Sequence, residues 1–134
     1  MLLVGHYPHS ELMEMMKNHV TDITVLPSIT TKDGACEGIP VTLMEAMSFG
    51  IPVLSTRTGR IPELLREGGG IMVEEKDSNA IAQGVLNILS DESLRSKLAE
   101  SGCETVSNHF NITNTCKELS SLIQKYCANG KYQH

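Results

Sequence analysis

A chain of 134 residues is long enough for one domain with a real core and too short for two ordinary ones. Its 40% hydrophobic and 20% charged fractions read as a soluble, globular chain rather than a disordered one. A formal net charge of −5 excludes the basic stripe that nucleic-acid binding needs, and no apolar run approaches the roughly 18 residues that span a bilayer.

The first ten residues carry no charged leader and do not read as a signal peptide. Leu2-Leu3-Val4 reads as a short strand cut at its front. Ser10 is expected to cap a helix to about Lys17, with Leu12, Met13 and Met16 on one side. Ile23 to Leu26 reads as a buried strand stopped by Pro27 and Ser28, followed by a loop from Ile29 to Gly38. Pro40 suits the first turn of a helix, since its missing N–H is not needed there. That helix should run to about Phe49, with Gly50 as its stop. Pro52 to Thr56 is the next strand, Pro62 to about Arg66 a short helix, and Gly70 to Val73 a further strand. Asp77 or Ser78 should cap a helix to about Leu89 with Ile81, Val85, Ile88 and Leu89 as its apolar stripe. Asp91 starts another helix through Leu94, Leu98 and Val106, and Ile112 to Tyr126 forms the last. Residues 128–134 read as a disordered tail.

Four cysteines, Cys36, Cys103, Cys116 and Cys127, show neither C-x-x-C spacing nor a Cys/His cluster, so reduced thiols and no metal are expected. Two Phe, three Tyr and no Trp leave no aromatic platform for bases or sugars. Strands alternating with helices at this spacing imply βαβ crossovers and a parallel sheet. Ligands of such sheets bind beyond the carboxyl ends of the strands. The loop from Ser28 to Ile39 leaves one strand there and enters the Pro40 helix, whose unpaired N–H groups and positive dipole end suit a phosphate. Gly38 lets backbone approach closely, and the Thr42 hydroxyl can add a bond. Glu37 precedes this anion site and Glu45 lies inside the helix. Helical rise over eight residues would separate them by roughly 12 Å. Acceptors flanking a phosphate site suit a nucleotide-sugar: ribose, diphosphate, sugar.

The stretch "EGIPVTLMEAMSFGIPVLST", with Glu37 and Glu45 in E-x7-E spacing, resembles the donor-site motif of group 1 (family 4) retaining glycosyltransferases of the GT-B fold. "LVGHYPHSEL", "DITVLPS", "GRIPELL" and "GGGIMVEEKD" resemble neighbouring family segments in order, so the resemblance covers about residues 2 to 110. It implies an α/β fold: a parallel Rossmann-like sheet flanked by helices, part of a GT-B C-terminal domain. Residues 1–127 would be a partial nucleotide-sugar-binding domain. It also implies roles. Glu37 would be the catalytic-site acid that binds donor-sugar hydroxyls, and Glu45 would hold the ribose. Gly38, Ile39, Pro40, Val41, Thr42 and Leu43 would line the diphosphate site. No metal or cofactor is expected, the nucleotide-sugar being a substrate. A saccharide or lipid-linked acceptor would bind through an N-terminal domain absent from this chain, as is the Arg/Lys pair that neutralises the leaving phosphate. The implied setting is polysaccharide synthesis in the cytoplasm, with peripheral association at the inner membrane face in the full-length protein. An incomplete sheet would leave an edge open to self-association.

Two other readings stand beside the transferase: a non-catalytic nucleotide-binding or interaction module, and a nucleotide-sugar epimerase of GT-B architecture. A glycoside hydrolase is disfavoured, because its two carboxylates sit roughly 5–9.5 Å apart and it has no use for a phosphate-type helix start. Glu37 taken alone could be a helix-dipole acid, and Glu45 taken alone an exposed helix carboxylate. Cys36 reads as an inert loop thiol, His6 and His9 as solvated, and the methionines as core. Arg57 and Arg60 read as solvated loop cations on the ligand side, Arg60 standing where the family usually has a small residue. Glu74 to Asp77 reads as a solvated turn.

Overall fold

The computed structural model describes residues 5–128, with side chains as far as Tyr126. The expected strand at Leu2 to Val4 and residues 129–134 of the expected tail lie outside the described residues. In order, the elements are α1 (His9–Lys17), β1 (Thr24–Leu26), α2 (Val41–Ser48), β2 (Val53–Thr56), α3 (Ile61–Leu65), β3 (Gly70–Val73), α4 (Ser78–Ser90), α5 (Glu92–His109) and α6 (Ile112–Ala128). The strands form one parallel sheet in the order β1-β2-β3, with Val25, Leu54 and Ile71 in register.

Alternation along each strand sends successive side chains to opposite faces, and each face has its own core. Val53 of β2 joins Met16, Leu43, Ala46, Met47, Ile61 and Leu64, supplied by α1, α2 and α3, with Leu26 and Met72 packed on them. Leu54, one residue on, joins Ile88 and Leu98 on the other face, with Val25, Ile71 and Val73 beside them. Helix α5 serves both layers: Leu94 and Leu98 lie in the second core, Val106 and Phe110 against the first. It crosses between them where the backbones of Gly69 and Gly102 nearly touch against the Met47 side chain. A Cβ on Gly69 would come within 3.0 Å of the Gly102 Cα and 2.7 Å of the Met47 methyl.

Local chemistry explains most boundaries, and four expectations need correction. Asp77 and Asp91 do cap α4 and α5, accepting from the N–H groups of Ala80 and Leu94 at 2.9 Å each. Ser10 does not cap α1: the N-cap is Pro8, two residues earlier, and no side chain caps the helix. Pro40 is the N-cap of α2 rather than part of its first turn, with an extended ψ of 123°. The missing N–H is harmless at either position. Residues 37–40 are therefore not helical, and the 12 Å helical rise does not describe the span from Glu37 to Glu45. Leu89 is exposed and leaves the α4 stripe to Ile81, Val85 and Ile88; the buried Gly84 takes its place against Leu54. Gly50 stops α2 as expected, at φ 69°. Among the described residues Cys36, Cys103 and Cys116 are free thiols.

Candidate functional site

The carboxyl ends of the three strands open into loops that are bonded to one another. After β1, the Ser28 carbonyl accepts from the Thr56 hydroxyl and the Leu26 carbonyl from that of Ser55 at 2.6 Å. The Arg57 N–H donates to the Val73 carbonyl at 2.8 Å, joining the loop after β2 to the end of β3. Glu75, beyond β3, accepts from the Thr30 N–H at 2.8 Å and the Thr30 hydroxyl at 2.7 Å. That hydroxyl also meets Thr58, which is buried, at 2.8 Å. All three loops are thus held at one edge of the sheet.

The turn from Glu74 to Asp77 is solvated as expected, with Glu74, Lys76 and Asp77 exposed, but within it Glu75 is the group that gathers the loop after β1. The Thr30 N–H, and then its hydroxyl, stabilise the ionised carboxylate and hold the Glu75 carboxyl below the usual range. A lowered folded pKa gives stability that is full above the unfolded value, about 4.3, and is lost as pH falls through the folded value. Thr30 amide protection, taken relative to its intrinsic exchange rate, should therefore be high at neutral pH and fall once the pH drops below the unfolded carboxylate range. In Glu75→Ala it should be low throughout. Protection of Thr30 that ignores both acid and the substitution would contradict the latch. The Thr31 hydroxyl, 2.6 Å from Asp33, likewise holds that carboxyl below its usual range.

Beyond Thr30 the chain turns tightly, with Gly34 at φ 83° and its N–H on the Thr31 carbonyl at 3.0 Å. It returns along a cleft of about 310 Å³ lined by Ser28, Ile29, Thr31, Ala35, Cys36 and Glu37. Glu37 sits on this cleft with its side chain exposed and takes one long hydrogen bond, 3.5 Å, from the Ser28 hydroxyl. Its backbone is gripped more firmly. The Arg60 N–H donates to the Glu37 carbonyl at 3.2 Å. Gly59, at φ 52°, lies so close that a Cβ there would overlap that carbonyl. Cys36 is exposed at the cleft wall.

The chain then passes Gly38, Ile39 and Pro40 into α2. A helix leaves four N–H groups without intrahelical partners. Here one of those positions is Pro40, so the open donors are Val41, Thr42 and Leu43, with the first internal bond made by Met44. No side chain caps them. Val41 and Thr42 are exposed, whereas Leu43 buries its side chain and can offer only its backbone. Pro40, buried and without an N–H, cannot donate to an anion; it aims the helix. Ile39 packs against the core beneath. Glu45 follows within the second turn, its side chain 21% exposed, and is bonded through both oxygens to the His9 ring, at 3.0 and 3.2 Å.

The two arginines near this edge are already paired. Arg57 binds Glu74 at 3.0 Å and Arg60 binds Glu63 through two bonds of 2.9 Å. His6 is exposed, and among the described residues it is His9, not His6, that engages a site residue. No group of three or more His, Cys, Asp or Glu among the described residues could hold a metal ion. No helix among them is long and apolar enough to cross a membrane.

Comparison with known proteins places the chain in a family. Residues 1–105 match the family described as "Glycosyl transferases group 1". The chain is 40% identical over 123 residues to the "Putative colanic acid biosynthesis glycosyltransferase WcaL" of Salmonella typhimurium, covering 90% of this chain and 30% of that protein. It is 34% identical over 124 residues to the "Amylovoran biosynthesis glycosyltransferase AmsK" of Erwinia amylovora, covering 92% and 30%. Sucrose-phosphate synthase of Thermosynechococcus elongatus superposes with a TM-score of 0.76 at 25% identity, over 96% of this chain and 31% of that one. The chain therefore spans about 30% of the length of the curated relatives it matches.

Proposed function

The chain belongs to the group 1 glycosyltransferases, with a parallel sheet of the GT-B kind, and from that premise we propose that its strand-end cleft is the donor site for a nucleotide-sugar. The observation that carries this reading is the start of α2: three uncapped N–H groups, at the carboxyl edge of a parallel sheet, between Glu37 and Glu45. The N–H groups of Val41, Thr42 and Leu43 hold the diphosphate, and Gly38 lets it approach the backbone. Glu45 accepts from the ribose hydroxyls. Glu37, on the cleft wall, accepts from the donor sugar and is the catalytic-site carboxylate of this region.

Transfer proceeds with retention and without a metal. The helix start stabilises charge as the diphosphate leaves, and fixed N–H dipoles need no rearrangement at that moment. The acceptor is a saccharide or lipid-linked saccharide, consistent with the polysaccharides named for two relatives, colanic acid and amylovoran. The protein acts in the cytoplasm.

The 134 residues alone are expected to bind a nucleoside diphosphate weakly and to transfer no sugar. Arg57 and Arg60 near the cleft are paired elsewhere, and an open cleft in water weakens charge interactions many-fold. Orientation of an acceptor, which can supply roughly 7–11 kcal/mol of the barrier, has no provider among the described residues. Incubation with UDP-, GDP- and ADP-sugars and saccharide acceptors should release no more diphosphate than a Glu37→Ala control. Turnover above that control would show that these residues suffice for catalysis.

A further inference from the structure

We propose that His9 is a positioning residue for Glu45, fixing the carboxylate in the orientation in which it meets the ribose. The inference rests on the reading of Glu45 as the ribose acceptor. The two residues are 36 apart in sequence, on α1 and α2, and their side chains meet at 3.0 and 3.2 Å. An ionised carboxylate can only accept, so the His9 Nε2 must carry the proton and donate it. Its N–H is shared between both oxygens, which sets the plane of the carboxylate as well as its place. A carboxylate offers about four lone-pair positions, and a single shared N–H leaves enough of them for the two neighbouring hydroxyls of a ribose.

A free glutamate must give up rotamer freedom when it binds a ligand, and that loss subtracts from affinity. His9 removes part of the loss beforehand. The pair serves the fold poorly. The His9 side chain is 72% exposed, and an exposed ion pair contributes little to stability.

Calorimetric titration of the 134-residue chain with ADP, GDP and UDP, each beside its 2′,3′-dideoxy counterpart, tests this. His9→Ala should weaken binding of the best ribonucleotide about fivefold, the scale of one exposed charge-assisted contact. It should leave the dideoxy counterpart and the thermal midpoint unchanged. His9→Gln, whose amide N–H can replace the ring donor, should recover most of the loss. In a Glu45→Ala background His9→Ala should add nothing. If Glu45→Ala weakens ribonucleotide binding but His9→Ala does not, the inference is overturned and the ribose site stands. Equal loss of ribo and dideoxy ligands in His9→Ala would place its effect elsewhere and also overturn it. If neither substitution matters, or no nucleotide binds, the ribose reading fails and takes the inference with it.

Discussion

Gly59→Ala is expected to cost about 2–5 kcal/mol of folding stability and to disturb Glu37, although it adds a single methyl group. Two penalties combine. Gly59 has φ 52°, where a side chain costs roughly 1–2 kcal/mol. The new Cβ would also overlap the Glu37 carbonyl, and such overpacking typically costs about 1–3 kcal/mol. Relief requires the loop after β2 and the segment before α2 to part, and that breaks the Arg60 N–H bond to Glu37. Gly68 supplies the control. It sits at φ 88°, and a methyl group added there would meet nothing within 4 Å, so Gly68→Ala should show the backbone penalty alone. Denaturant titration of both variants separates the terms. Equal losses would mean that the contact with Glu37 is slack and that Gly59 does not set its place.

Glu45→Ala should weaken nucleoside diphosphate binding by about 1.5–3 kcal/mol, the usual range for hydrogen bonds to a charged acceptor. Folding should hardly change. The partner it abandons is His9, which is largely exposed and can turn to water. The parent chain should prefer ribose to 2′,3′-dideoxyribose ligands, and the variant should lose that preference. Unchanged affinity, or equal loss for both ligands, would remove Glu45 from the ribose site.

These two predictions differ in how far the sequence alone leads to them. The motif names Glu45, and the periodic helices and Gly/Pro punctuation place it correctly on a helix following a strand-end loop. Gly70 to Val73, the Asp77 cap and the Pro62 helix are legible for the same reason: each depends on neighbours a few residues away. What organises the site is not local. His9 reaches Glu45 across 36 residues and Glu75 reaches Thr30 across 45, and Gly59 fits beneath Glu37 only because β1 and β2 lie side by side. A histidine after a proline and a glutamate in a charged run look solvated until the strands bring them to one edge. The family motif carries a signal for the carboxylates and none for the residues that hold them. Pro40 marks the opposite limit. Its chemistry fits the N-cap and the first helical turn equally, so only the backbone ψ of 123° separates the two.

Whether the uncapped start of α2 is a diphosphate site is decided by isothermal titration of the 134-residue chain with UDP, GDP and ADP at low and at elevated salt. Exposed phosphate contacts are screened as the Debye length shrinks from about 30 Å at 0.01 M salt to about 8 Å at 0.15 M. At least one nucleotide should bind with a Kd no tighter than high micromolar, and its affinity should fall as salt is added. Absence of binding at millimolar concentrations of all three would contradict that assignment.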